Sequence, residues 1–190
     1  SEDNVISIAY RGTDFGRTYT RPDLFVADLI NDISVKKVNY EGLILHSGFL
    51  DFFLKTQEEV MNFINSHINR DTLIYTTGHS YGAIPSMILA FILNKHFGER
   101  RAVNYTFGSP RGMDRESARV VATQLTAFRV ADIQDPITLL PPTGTGYFHA
   151  GRTIYLNGDV MKELIDMDEA DRMYNVAGGT IAQAGLLSIT

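Results

Sequence analysis

The chain has no cysteine and no tryptophan, and proline supplies only 6 of its 190 residues. Without cysteine there can be no disulfide, no thiolate metal ligand and no cysteine nucleophile. Basic residues are also in short supply: 17 Lys and Arg stand against 22 Asp and Glu, for a formal net charge of -5, and no basic cluster interrupts that balance. A nucleic acid is therefore not an expected partner. No apolar run is long enough to span a bilayer, and SEDNVISIAY carries no basic stretch ahead of an apolar one. The chain as it stands is expected to be soluble, with its location left open and with upstream sequence possible. There is no H-E-x-x-H and no metal-ligand spacing, so neither a metal nor a cofactor is expected. No repeat, low-complexity tract or linker divides the chain. At 44% hydrophobic content it reads as one domain over residues 1–190.

What is present is an alternation of strand and helix. NVISIAY, residues 4–10, is β-branched and aromatic and stops at RGTD, as a strand entering a turn does. From Phe49 to Ile68 apolar residues recur at helical spacing with Lys55, Glu58 and Glu59 between them, which predicts an amphipathic helix. TLIYTT predicts a buried strand, and Ile84 to Leu93, apolar nearly all round, a helix covered on several sides. AVNYTF and LTAFRV predict two further strands, joined by a helix over DRESARVVATQ. RTIYL reads as an edge strand, and Asp159 to Met173 as an acidic helix. This order points to an α/β fold with a mostly parallel sheet covered by helices on both faces.

One stretch carries chemistry. Gly78-His79-Ser80-Tyr81-Gly82 matches G-x-S-x-G where a β-rich run gives way to a helical one, the context a nucleophile elbow requires. A strand that turns directly into a helix brings the positions flanking the serine together, so glycine is expected at 78 and 82, with Ser80 in a strained conformation that presents its hydroxyl. The helix beyond it aims its amide end at the reacting group.

A serine hydroxyl needs a base, usually a histidine oriented by a carboxylate, in the chain order Ser, Asp or Glu, His. His149, in GTGTGYFHAG, follows Ser80 with an acid run before it and a loop around it, which makes it the candidate. His96 lies too close behind the elbow helix to swing back. His79 should point away from the hydroxyl, His67 belongs on the surface, and His46 should hydrogen-bond locally where ILHSGF enters the helix. Both Asp132 and Asp135 follow the strand LTAFRV; position favours Asp135 and leaves Asp132 open, with Asp114 further back.

These residues resemble the class 3 lipases, the fungal triacylglycerol lipase type within the α/β-hydrolases. IAYRGTD is similar to the family's strand followed by R-G-S/T, FVADL to W-x-x-D-L with Phe25 in place of tryptophan, and LHSGF to V-H-x-G-F. GHSYGA is similar to G-H-S-L-G-G, YTFGSPRGMD to T-x-G-x-P-R-V-G-D, FRVADIQDPITLLPP to R-V-V-N-x-x-D-x-V-P-x-L-P-P, and YFHAG to aromatic-x-H-x-G. The resemblance covers residues 5 to 151. It implies Ser80 as nucleophile, Asp135 as acid, since Asp132 falls on the family's asparagine, and His149 as base. It further implies that Thr13 and the Tyr81 amide form an oxyanion hole, with Asp28 anchoring the Thr13 hydroxyl.

The chain also departs from the family. DFGRTYTRPDL, residues 14–24, stands where a lid is expected but is polar and lacks an apolar helical face. Elements before the first strand are missing, and the interval from Asp135 to His149 is short. A more open cleft is the expectation, with Phe15, Tyr81 and Leu139 either lining an acyl pocket or serving as core or rim. The resemblance implies a serine hydrolase of lipid carboxylic esters. Its rivals are a phospholipase A1 or galactolipase acting on membrane lipid, a non-catalytic binding module on the same fold, and, without motif support, a metal-dependent hydrolase.

Overall fold

A computed structural model describes residues 4–12, 36–98, 101–132, 134–157 and 160–164. Strand β1 is Val5–Tyr10, followed by a hairpin of β2, Lys37–Tyr40, and β3, Leu43–His46. Helix α1 is Ser47–His67, β4 is Leu73–His79, α2 is Ala83–Phe97 and β5 is Ala102–Phe107. Helix α3 is Arg115–Gln124, β6 is Thr126–Asp132, β7 is Arg152–Asn157 and β8 is Val160–Leu164. The central sheet runs β1-β4-β5-β6-β7-β8, parallel throughout except for β8, which pairs antiparallel with β7. This is the expected α/β-hydrolase arrangement, a mostly parallel sheet flanked by helices.

Each step from β1 to β6 moves along the sheet in one direction, and parallel crossovers are right-handed. Among the described residues α1, α2 and α3 therefore share one face and one core, to which Phe49, Phe53, Leu89 and Val121 all belong. Alternation along the strands decides which side chains meet that core. In β4 these include Ile74 and Thr76, in β5 Ala102, Asn104 and Thr106, and in β6 Ala127, Arg129 and Ala131. The polar members are partnered. Asn104 donates to Thr76 Oγ1 at 2.9 Å and Ser86 Oγ at 3.0 Å, and Ser86 donates to the Ala83 carbonyl at 2.7 Å. That network ties the first turn of α2 to β4 and β5, and so holds the turn between β4 and α2 in place. Among the described residues no helix is long and apolar enough to cross a membrane.

Three elements differ from the sequence expectation. RTIYL, expected at the sheet edge, lies inside the sheet as part of β7, because β8 pairs along its outer side. The β2–β3 hairpin was not anticipated; its turn is Glu41-Gly42, both with positive φ (54° and 91°), the pairing that matches strand twist in a two-residue hairpin. The acidic helix expected from Asp159 begins instead as β8, where VMKEL pairs with β7. The chain turns back on the sheet edge there, and cross-strand hydrogen bonds outweigh the helical propensity of Met, Lys, Glu and Leu. The remainder of that expected helix lies outside the described residues, as does the lid position, residues 14–24.

Candidate active site

β4 ends at His79, a short 3-10 turn spans Ser80–Gly82, and α2 begins at Ala83. Ser80 has φ +53°, a region costly for a residue with a side chain and held only where its surroundings demand it. The surroundings here are two close backbone contacts. A Cβ on Gly78 would stand 2.2 Å from the Gly82 carbonyl oxygen, and one on Gly82 would stand 2.4 Å from that of Tyr10. Gly78 meets Gly82 as expected, and Gly82 in addition presses on the end of β1. Ser80 is buried at 4% exposure, and its Oγ has no hydrogen-bond partner among the described residues. A buried hydroxyl without a partner is costly, and such groups recur where function requires them. Pro85 sits in the first turn of α2, where its missing N–H would have found no helical acceptor, so it does not disturb the helix.

The chain leaving β1 runs beside the serine. A Cβ on Gly12 would lie 3.6 Å from Ser80 Cβ and 2.9 Å from the His79 carbonyl oxygen. The next residue is Thr13, which with Asp28 and Phe15 lies outside the described residues. The Tyr81 ring packs on Phe49 and Phe52, with centroids at 4.9 and 5.8 Å. Burial and then the Asp51 charge push the Tyr81 phenol up to about 12, so the hydroxyl stays protonated at neutral pH.

Asp135 caps a 3-10 turn, Pro136–Leu139, three residues beyond the end of β6. Its Oδ1 accepts the Ile137 N–H at 2.9 Å, and its carbonyl accepts the Thr138 hydroxyl at 2.7 Å. Burial raises the pKa of the carboxyl, opposed by the Ile137 N–H and by the charges of His79 and Arg129 and reinforced by Asp132. Space for the carboxylate comes from Gly108, at φ +55° just past β5. A Cβ there would fall 2.6 Å from Asp135 Oδ2 and 3.5 Å from His79 Nε2. Asp132 is exposed and uses Oδ1 to accept the Gln134 N–H at 2.8 Å, a turn-forming role.

His149 makes no hydrogen bond to Ser80 Oγ. It follows Phe148, whose N–H donates to the Met113 carbonyl at 2.8 Å, and its ring is buried. Burial, then the guanidinium groups of Arg129 and Arg111, hold its imidazole well below the ordinary histidine range, against the opposing pull of the backbone at Thr138 and Pro110. The other histidines lie largely where expected. His46 accepts the Gly48 N–H through Nδ1 at 3.2 Å, and His67 and His96 are exposed. His79, adjacent to the serine, is the histidine beside Asp135. Sequence reasoning passed over Arg111, Gly108 and Gly12, although YTFGSPRGMD and YRGTD contain all three.

The class 3 lipase model matches residues 7–145. The chain belongs to the class 3 lipase family. Among curated proteins it is 27% identical over 163 residues to a lipase of Rhizomucor miehei, covering 81% of this chain and 42% of that one. It is 30% identical over 157 residues to the secreted mono- and diacylglycerol lipase 1 of Fusarium solani, covering 78% of this chain and 46% of that one. The chain thus spans about half the length of the curated relatives it matches. The solved structure of Rhizomucor miehei triacylglyceride lipase superposes with a TM-score of 0.73 at 21% identity, over 95% of this chain and 70% of that one. The mono- and diacylglycerol lipase of Aspergillus oryzae gives the same TM-score, 0.73, at 19% identity, over 96% and 66%. At these identities the two structures speak for the fold.

Proposed function

We propose that this chain cleaves carboxylic esters of lipids through an acyl-enzyme on Ser80. The observation that carries the proposal is the elbow: a serine at φ +53° between two glycines that tolerate no Cβ, its buried hydroxyl without a partner among the described residues. Family membership and relatives named as lipases and mono- and diacylglycerol lipases support the ester class.

In this reading Ser80 Oγ bonds to the acyl carbonyl carbon while an imidazole takes its proton, and the carbonyl oxygen gains the charge. The Tyr81 amide at the start of the turn, with the hydroxyl and amide of Thr13, receives that oxyanion, and Asp28 anchors the Thr13 hydroxyl. Collapse expels the alcohol, which takes the proton, and water releases the acid by the same steps in reverse. Asp135 is the carboxylate that orients the imidazole. Motif order assigns that imidazole to His149. Removing an oxyanion donor typically costs about 10² to 10³ in rate.

A labelled fluorophosphonate tests the nucleophile directly. Covalent labelling of the folded protein at Ser80, abolished in Ser80→Ala, is the expected result. An unlabelled folded protein would instead point to a binding module on a lipase fold. Hydrolysis of p-nitrophenyl esters from acetate to palmitate, then of acylglycerol against phospholipid and galactolipid vesicles, assigns the substrate within the ester class.

A further inference from the structure

The residues just before His149 lie against the β2–β3 hairpin and the helix that follows it. Phe148 pairs with Met113, and Met113 pairs in turn with Leu45 of β3, so the hairpin carries this segment as an added strand. The Lys37 ammonium donates to the Gly146 carbonyl at 3.0 Å and stands 5.4 Å from the centre of the Tyr147 ring. The Tyr147 ring also meets His46, with centroids 5.2 Å apart, and both side chains are buried. His46 caps α1, and positions three apart on a helix share a face, so His46, Phe49 and Phe52 form one row. Each of them meets a different part of the candidate site. His46 holds Tyr147, Phe49 packs on the Tyr81 ring at 4.9 Å, and Phe52 packs on Tyr81 at 5.8 Å and on Tyr10, at the end of β1, at 5.9 Å. The His46 and Phe49 rings are themselves 4.9 Å apart, which completes an unbroken row of rings from the His149 segment to the residue after Ser80. Close-packed side chains transmit a displacement more than they absorb it.

We infer that His46 is a positioning residue whose ring sets the separation between the segment carrying His149 and the elbow carrying Ser80. The inference deepens the proposed ester hydrolysis and rests on it for the roles of those two residues. His46 serves the fold in two ways that can be taken apart. Its Nδ1 accepts the Gly48 N–H at 3.2 Å, a cap that serves α1 alone, while its ring is the only link in the row between Tyr147 and Phe49 among the described residues. A cap by itself does not call for an imidazole, because the smaller asparagine accepts the same N–H at least as well. The ring is what spans the gap between the two neighbours. Without it the Tyr147 segment loses its stop against α1, and a shift of about 1 Å in a reacting group costs about 10² in rate.

The test compares the full chain with His46→Asn, which keeps a cap acceptor and removes the ring, and with His46→Phe, which keeps a ring and removes the acceptor. Two readouts are taken: kcat and KM for a p-nitrophenyl ester, and amide exchange at Phe148 and Ala83, whose N–H groups bond the Met113 and Ser80 carbonyls. His46→Asn should lower kcat by about tenfold to 10², with KM within about twofold, and should speed exchange at both amides. His46→Phe should keep kcat within about threefold of the wild-type value while lowering stability, since α1 then lacks its cap. An unchanged kcat in His46→Asn, or equal losses in the two variants, would overturn the inference and leave His46 as a helix cap. If His46→Phe does not fold, Phe49→Leu takes its place. Combined with His46→Asn it should cost no more than the larger single loss, because both break the same row, and losses that multiply would overturn the inference. A wild-type protein that neither hydrolyses the ester nor labels at Ser80 sinks the proposed hydrolysis instead. Exchange then decides the positioning role, which fails if His46→Asn leaves either amide as protected as in the wild type.

Discussion

Replacing Gly108 by alanine probes the Asp135 site without touching a reacting group. Gly108 stands at φ +55°, where a residue with a Cβ pays about 1–2 kcal/mol relative to glycine. For a protein of this length that lowers Tm by about 2–8 °C. The new methyl would also lie 2.6 Å from Asp135 Oδ2, where ordinary contacts begin at 3.4 Å. The carboxylate must withdraw by most of an ångström, because on its other side Oδ1 is bonded to the Ile137 N–H at 2.9 Å. A misplacement of about 1 Å in a catalytic group costs about 10² in rate, so Ser80 labelling and ester hydrolysis should fall by roughly that factor. Thermal unfolding followed by circular dichroism, together with labelling kinetics below Tm, separates the two effects. Unchanged labelling in a variant destabilised as expected would show that the Asp135 carboxylate is not the group orienting the base. An unchanged Tm would refute the backbone geometry at Gly108 itself.

Ser80→Gly should raise Tm, since it relieves a positive φ and removes a buried hydroxyl without a described partner, while abolishing labelling; a lower Tm would argue against strain at the elbow. Asp135→Asn should stabilise the protein at neutral pH. Burial raises the folded-state pKa of this carboxyl, so the native state holds more protons than the unfolded one between the two values, and wild-type stability falls as pH rises through that window. The advantage of the variant should vanish below about pH 4, which denaturant melts across pH would reveal. Asp114→Ala removes the cap on α3, whose side chain accepts the Ser117 N–H at 2.8 Å, and should cost about 1 kcal/mol by urea denaturation with no change at Ser80. A loss of labelling there would mean that α3 communicates with the site.

Most of the strands and helices could be read from periodicity because their burial follows local pattern. The amphipathic spacing of α1, the all-round apolar α2 and the alternation in β4 to β6 each reflect one-sided or complete coverage by neighbours. The β2–β3 hairpin was missed because Glu41-Gly42 replaces the asparagine-glycine signal that usually announces such a turn. β8 was misread because its residues favour a helix, and pairing with β7 overrides that preference.

The elbow belongs to the class of features a sequence specifies alone. A serine forced to positive φ between crossing backbones demands glycine at 78 and 82, so the requirement is written at fixed offsets in Gly78-His79-Ser80-Tyr81-Gly82. The surroundings of Asp135 and His149 were decided only by the tertiary structure. Gly108 opens space for a carboxylate far along the chain, and Arg111 reaches across to the carbonyls of residues 139–141. Motif order can place a histidine after an acid, but not say how deeply its ring is buried or which charges the fold sets around it. Those surroundings are set by contacts between distant segments of the folded chain.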